Sequence, residues 1–122
     1  MSENIITIKV STDENHVPTD IIWSAEGGDI KSWQAKAMSL SMWDEKDRTS
    51  MNMDLWTKDM SVEEMKRFIC DSMMTLAKTL ETATSDKGHA EAIRGFTSEL
   101  AKRIGIIEAN DEEVEGNQTK SE

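Results

Sequence analysis

The chain has 122 residues, 37% of them hydrophobic, with one cysteine and a formal net charge of −10. At this length one domain is the default, and a core can form without disulfides or a structural metal. The acidic charge argues against binding nucleic acid or anionic lipid, because both require a basic surface. The single Cys70 excludes an intramolecular disulfide framework.

The N-terminal residues MSENIITIKV contain no basic segment followed by a long apolar run. We therefore expect no signal peptide. No stretch reaches the roughly 20 apolar residues that a membrane-spanning helix needs. The sequence predicts a soluble, cytoplasmic protein without membrane insertion.

Two strands are predicted near the N-terminus. Ile6, Ile8 and Val10 alternate with polar residues, which is typical of a strand with one buried face. The segment STDENHVPTD contains Asp, Asn and Pro and is predicted as a turn. The segment IIWSA then reads as a second strand of unclear phase, and EGGDIKS reads as a loop.

A second hairpin is predicted in SLSMWDEKDRTSMNMDLW, where apolar residues alternate with polar residues on both sides of a charged centre. The pairing that aligns the apolar residues of the two strands leaves EKDR as a four-residue turn. A slip of one residue in this pairing would move every apolar side chain to the wrong face. The apolar pairs expected on one face are Met42 with Met51, Leu40 with Met53, and Met38 with Leu55.

Two amphipathic helices follow. Ser61 with Glu64 forms a capping-box pattern at the start of the first helix. The second helix is predicted to begin after Ser85 or Asp86 and to end at Gly105, a glycine in the C-terminal capping position. The predicted apolar stripes are Met65, Phe68, Ile69, Met73, Leu76 and Leu80, and then His89, Ile93, Phe96, Leu100 and Ile104.

The order of elements predicts an α+β fold: a four-stranded antiparallel sheet of two hairpins, followed by two antiparallel helices packed on one face. We expect residues 1–107 to form a single α+β domain and residues 108–122 to form a disordered acidic tail. From Glu108 to the C-terminus there are six acidic residues and one lysine, which is half of the net charge.

No catalytic motif is present. The sequence lacks a phosphate-binding glycine loop, G-x-S-x-G, C-x-x-C and H-E-x-x-H. His16 and His89 have no second ligand at metal spacing, so we interpret both as structural. Cys70 is expected to be buried as a small hydrophobe in the first helix. We therefore predict a protein that is not an enzyme and that has no cofactor, metal site or catalytic residues.

Two surfaces of the second hairpin are candidates for binding. The methionines Met38, Met42, Met51 and Met53 share a phase with two leucines, which favours core packing over an adaptable binding surface. On the opposite face, Trp43 and Trp56 are predicted among small polar residues. They would form a candidate protein-interaction face, although each ring could instead lie flat and be shielded. The members of this face are Ala37, Ser39, Ser41, Trp43 and Trp56.

Several phrases in order carry a resemblance to a known family: DENHVP, WSAEGG, AKAMSLSMWD, and DLWTKDM followed by the capped helix. Over roughly residues 4 to 106 the sequence resembles the gliding-motility protein GldC family of Bacteroidetes. The resemblance implies a small, non-enzymatic, soluble accessory component of gliding motility that works beside other Gld components. It supplies no catalytic or cofactor residues.

Three functions remain open at this point. The first is the accessory role in gliding, through protein partners that include other Gld components. The second is a SecB-like chaperone for unfolded segments of exported or surface proteins, suggested by the order of four strands and two helices. The third is an uncharacterised enzyme that uses the carboxylates. A weak homodimer through the tryptophan face is also expected.

Overall fold

The structure is a computed structural model that describes residues 2–27 and 31–106. The chain divides into two compact units, Met1–Ser61 and Val62–Glu122. The first unit contains the strands and the second contains the helices. The single domain over residues 1–107 stays a prediction, and the predicted acidic tail, residues 108–122, lies outside the described residues.

The strand unit contains five strands in two antiparallel sheets. The first sheet has the order β1-β2-β3, and the second contains β4 and β5. The α+β class is confirmed, but the predicted single four-stranded sheet is wrong. The SecB-like arrangement and the packing of the helices on a sheet face stay predictions. The strands are β1 (Ile6–Thr12), β2 (Pro18–Ala25), β3 (Trp33–Ala35), β4 (Ala37–Asp44) and β5 (Thr49–Trp56).

The division into two sheets occurs at Lys36. The pairing between β2 and β3 ends at Ala35, and the pairing between β4 and β5 begins at Ala37. The carbonyl of Lys36 accepts a hydrogen bond of 2.8 Å from the backbone N–H of Thr57, directly after β5. One extended segment therefore supplies a strand to each sheet, and β3 is the strand that the sequence prediction missed.

Ile21 resolves the uncertain phase of β2. Its side chain is buried, whereas Ile22 is exposed. Ile21 pairs with Val10, and Trp23 pairs with both Ile8 and Trp33. The rings of Trp23 and Trp33 meet edge to face at a centroid distance of 5.8 Å. The predicted inner face of β1 is only partly covered, because all three of its apolar residues, Ile6, Ile8 and Val10, remain exposed.

The turn between β1 and β2 is organised by Asp13. Its Oδ1 accepts hydrogen bonds from the backbone N–H groups of Asn15 and Val17, at 2.8 and 3.0 Å. Its Oδ2 lies 2.8 Å from Nζ of Lys58. The backbone N–H of Lys58 also donates to the carbonyl of Pro18 at 3.1 Å. These two contacts connect the β1–β2 turn to the segment that follows β5.

The helical unit contains α1 (Val62–Thr84) and α2 (Lys87–Arg103), which confirms the two predicted helices. Ser61 directly precedes α1, as expected of an N-cap. Asp86 is the N-cap of α2, since its Oδ1 accepts the backbone N–H of His89 at 3.0 Å. Of the two residues proposed as caps, the aspartate therefore fills the role.

The C-terminus of α2 closes through Gly105, which has φ +81°. The N–H of Gly105 donates to the carbonyl of Lys102, and the N–H of Ile106 donates to that of Ala101. This pair of bonds is a Schellman motif, which requires the left-handed conformation that glycine adopts most easily. The predicted glycine cap is confirmed.

The most buried residues of α1 and α2 are small, and we call this set the helix seam. Side chains without bulk allow two helix backbones to approach closely. The large residues Ile69, Leu76 and Phe96 are exposed instead. Of the predicted apolar stripes, Leu100 and Ile104 pack against the buried cluster that contains Cys70 and Ala101, so the stripes form part of the contact between the helices. The buried members of the helix seam are Cys70, Ala77, Ala90, Thr97 and Ala101.

Candidate functional site

The β4–β5 hairpin has the register that the sequence predicts. Met42 lies opposite Met51, and residues 45–48 form the turn. Asp44 stabilises the turn, because its Oδ2 accepts the N–H of Asp47 at 2.7 Å and its carbonyl accepts the N–H of Arg48 at 2.9 Å. Arg48 adopts a left-handed φ of 55° in this turn. The hairpin thus presents two defined faces.

One face carries the two tryptophans. In β4 it contains all the predicted members Ala37, Ser39, Ser41 and Trp43, and we call it, with the β5 residues opposite, the tryptophan face. Trp43 is 68% exposed and Trp56 is 56% exposed. The described chain therefore does not shield the rings as the alternative interpretation required. The residues opposite are Ser50, Asn52, Asp54 and Trp56.

Polar pairs separate the two rings. Oγ of Ser39 donates to Oδ1 of Asp54 at 2.7 Å, and Nδ2 of Asn52 donates to Oγ of Ser41 at 3.3 Å. Trp56 lies opposite Ala37, six residues along β4 from Trp43. At about 3.3 Å per residue, the two backbone positions are roughly 20 Å apart. The tryptophan face thus has an apolar contact point at each end and a hydrogen-bonded centre, rather than one continuous apolar patch.

The opposite face is continuously apolar, and we call it the methionine face. Met42, Met51 and Met53 are between 52% and 61% exposed, whereas the pair Met38 and Leu55, further from the turn, is half-buried. The prediction that these methionines are core residues is therefore wrong for the three near the turn. A sheet of only two strands offers them no neighbouring strand to pack against. The methionine face consists of Met38, Leu40, Met42, Met51, Met53 and Leu55.

The two histidines and the cysteine considered as candidates for chemistry lie in turns, caps or the buried interior. His16 has a φ of 64° in the turn that Asp13 organises. Nδ1 of His89 lies 2.6 Å from Oδ2 of Asp86, the cap of its helix. Cys70 is buried, and burial raises the pKa of its thiol, with a smaller contribution from the charge of Asp71. A protonated thiol is a poor nucleophile.

Over residues 2–27 and 31–106, no three His, Cys, Asp or Glu side chains are grouped so that they could hold a metal ion. In the same part of the chain, neither helix has the length and apolar character needed to cross a membrane.

Comparison with known protein families shows a match over most of the chain. A family model described as "Gliding motility-associated protein GldC-like" matches residues 18–106. The match ends where the predicted resemblance ends but begins later, so of the phrase DENHVP only Pro18 falls within it. No curated protein and no solved structure shows a significant match.

Proposed function

Because this chain belongs to the GldC-like family of gliding motility-associated proteins, we propose that it is a non-enzymatic, cytoplasmic accessory component of gliding motility that acts through protein–protein contacts. The observation that carries this proposal is the β4–β5 hairpin, which exposes large apolar side chains on both faces. A two-stranded sheet is at best marginally stable in water by itself. A partner that covers one face would stabilise both the hairpin and the complex.

We propose the tryptophan face as the contact for a protein partner, with other Gld components among the candidates. Each buried ring removes on the order of 150–250 Å² from water. At about 25 cal/mol per Å², the rings of Trp43 and Trp56 would together contribute several kcal/mol before the entropic costs of association. Ser39 and Ser41 between the rings, and Ala37 opposite Trp56, are small enough for a partner backbone to approach.

A different protein fits this face better than a second copy does. Asp54 lies in the hydrogen-bonded centre of the face. A two-fold contact centred there would bring Asp54 close to the same residue of the other copy. Burying two like charges together is costly. A partner with donors at its centre and apolar pockets at two points about 20 Å apart would satisfy the whole face.

The experiment is to express Trp43→Ser/Trp56→Ser in a gliding bacterium of this family that lacks its own copy. We expect the variant to fold, to lose co-purification of Gld components and to restore gliding poorly. Trp33→Ser is the matched control, because Trp33 is as exposed as Trp56 but lies in the other sheet. If the double variant glides and binds like the wild type, the proposed face is not the contact.

A second candidate function is a SecB-like chaperone, and the exposed methionine face favours it. Unbranched, polarizable methionine side chains adapt to varied apolar segments. A chaperone would bind many unrelated unfolded chains with saturable changes in tryptophan fluorescence. A dedicated accessory component would respond to one partner. Titration with several unfolded proteins, in parallel with Met42→Ser/Met51→Ser, separates the two functions.

A further inference from the structure

The two helices place their large apolar residues on one side of their pair. In three cases an exposed apolar residue directly precedes a member of the helix seam: Ile69 before Cys70, Leu76 before Ala77, and Phe96 before Thr97. One residue corresponds to a rotation of about 100° around the helix. Because the helices are antiparallel, the step from a seam residue to the residue before it runs clockwise in one helix and anticlockwise in the other when both are viewed from the same end. All three residues therefore lie on the same side of the pair.

We call this side the apolar helix face. Leu76 is 62% exposed and Phe96 is 63% exposed, so its most prominent members are open to solvent. Val62 and Ile69 precede Leu76 at intervals of seven residues and extend the face to the start of α1. The remaining members, by helical position, are Met73, Leu80, Ile93 and Leu100.

The opposite side of the helix pair contains the ion pair between the helices, together with the exposed Met74. Nη2 of Arg94 lies 2.7 Å from Oε1 of Glu81 and links the two helices there. Glu81 and Arg94 each follow a member of the helix seam by four residues, a rotation in the opposite direction from that of the apolar helix face. By the same periodicity, most carboxylates of the two helices lie more than about 100° from Leu76 or Phe96, but Glu99 lies about 60° from Phe96. Oε2 of Glu99 is 3.2 Å from Nε of Arg103, so the one carboxylate at the edge of the apolar helix face is paired with a cation.

We infer that the apolar helix face is the contact between two copies of this chain, which pair their helices into a four-helix bundle. A two-fold axis normal to the face brings each α1–α2 pair onto its copy, and both surfaces are mainly apolar, with Glu99 and Arg103 paired to each other within each copy. Within one pair the core contains Leu100, Ile104 and Ile106 beside small side chains, and burial of Leu76 and Phe96 in the bundle adds large apolar residues to it. The inference is independent of the gliding partner.

The available area distinguishes this face from the methionine face. With 23 residues, α1 is about 34 Å long at 1.5 Å per residue. Two adjacent helices with axes 8–10 Å apart present a projected area of roughly 500 Å². A contact between two copies would then bury at least about 1,000 Å², the lower limit expected of a specific interface. The methionine face spans three pairs on two strands, about 200 Å² per copy, which is too small for a stable dimer by itself.

The test is sedimentation of the full chain at about 100 µM. The weakest interfaces of standard size have micromolar dissociation constants, so this concentration is high enough to populate such a dimer. We expect the wild type to sediment with twice the mass of one chain and Leu76→Glu/Phe96→Glu to sediment as a folded monomer. We expect its dimer dissociation constant to rise at least tenfold. Met42→Glu/Met51→Glu is the matched control, because these methionines are equally exposed on another face, and it should remain dimeric.

A mixing experiment separates a lost contact from a lost fold. Leu76→Glu/Phe96→Glu is combined with Leu76→Lys/Phe96→Lys, and we expect a mixed dimer because opposite charges then meet across the interface. A monomeric wild type overturns the inference. A Leu76→Glu/Phe96→Glu variant that remains dimeric also overturns it, whether or not Met42→Glu/Met51→Glu dissociates the dimer.

Discussion

Nζ of Lys58 lies 2.8 Å from Oδ2 of Asp13, although 45 residues separate them along the chain. The same carboxylate holds the β1–β2 turn through its other oxygen. One side chain therefore performs two functions, local turn formation and a long-range connection to the segment after β5.

The two functions of Asp13 can be separated by substitution. Asp13→Asn keeps an oxygen that can accept the turn N–H groups but removes the charge that attracts Lys58. Asp13→Ala removes both. We expect the order of urea midpoints to be wild type, then Asp13→Asn, then Asp13→Ala. Equal midpoints for all three would show that the carboxylate contributes nothing measurable.

The contact also predicts a pH dependence. The ammonium of Lys58, with the turn N–H groups, lowers the pKa of Asp13 from 3.8 to about 2. A group with a lowered pKa contributes stability above its unfolded pKa and loses that contribution as the pH falls through its folded pKa. The stability difference between the wild type and Asp13→Asn should therefore be constant above about pH 5 and shrink between pH 4 and 2. A difference that persists at pH 2 would contradict this origin.

The start of α1 depends on Ser61. Ser61→Ala should lower the free energy of unfolding by about 0.5–2 kcal/mol, because a first-turn amide loses its acceptor. Ser61→Thr is the control and should lose less, since threonine is also an N-cap residue. Urea titration measures both. If Ser61→Ala leaves the free energy of unfolding unchanged, Ser61 is not the N-cap of α1.

The glycines of the helical unit should respond in opposite directions. Gly105→Ala should cost about 1–2 kcal/mol, because an alanine at φ +81° is strained. Gly95→Ala lies within α2 and meets nothing within 4 Å, so it should stabilise by up to about 1 kcal/mol. Thermal unfolding of the two variants against the wild type tests the assigned end of α2. A neutral or stabilising Gly105→Ala would contradict the cap.

The features that the sequence predicts correctly are those with local patterns. The register of β4 with β5 follows from alternation on both sides of EKDR, and the ends of α2 follow from Asp86 and Gly105. The three-residue β3 has too short an alternation to be recognised beside a glycine-containing loop.

Other features depend on contacts that no local pattern reveals. Alternation shows that Met42 and Met51 share a face, but it does not show whether anything covers that face. The contact of Asp13 with Lys58 joins two loops with no common motif. In the helices, the apolar stripes correctly place Leu100 and Ile104 against the buried cluster. They do not show that the small Ala77 and Ala90 are fully buried while Leu76 and Phe96 are exposed.

We propose that the tryptophan face binds a protein partner during gliding. The most direct measurement places a photoreactive amino acid at Ser41, between the two rings, in a gliding bacterium of this family, with the same substitution at the exposed Glu91 of α2 as the control. We expect a crosslink from position 41 to a Gld component, and we expect it to be lost when Trp43 and Trp56 are both serine. Crosslinks from position 41 only to a second copy of this chain, or equal crosslinks from position 91 to the same component, would contradict it.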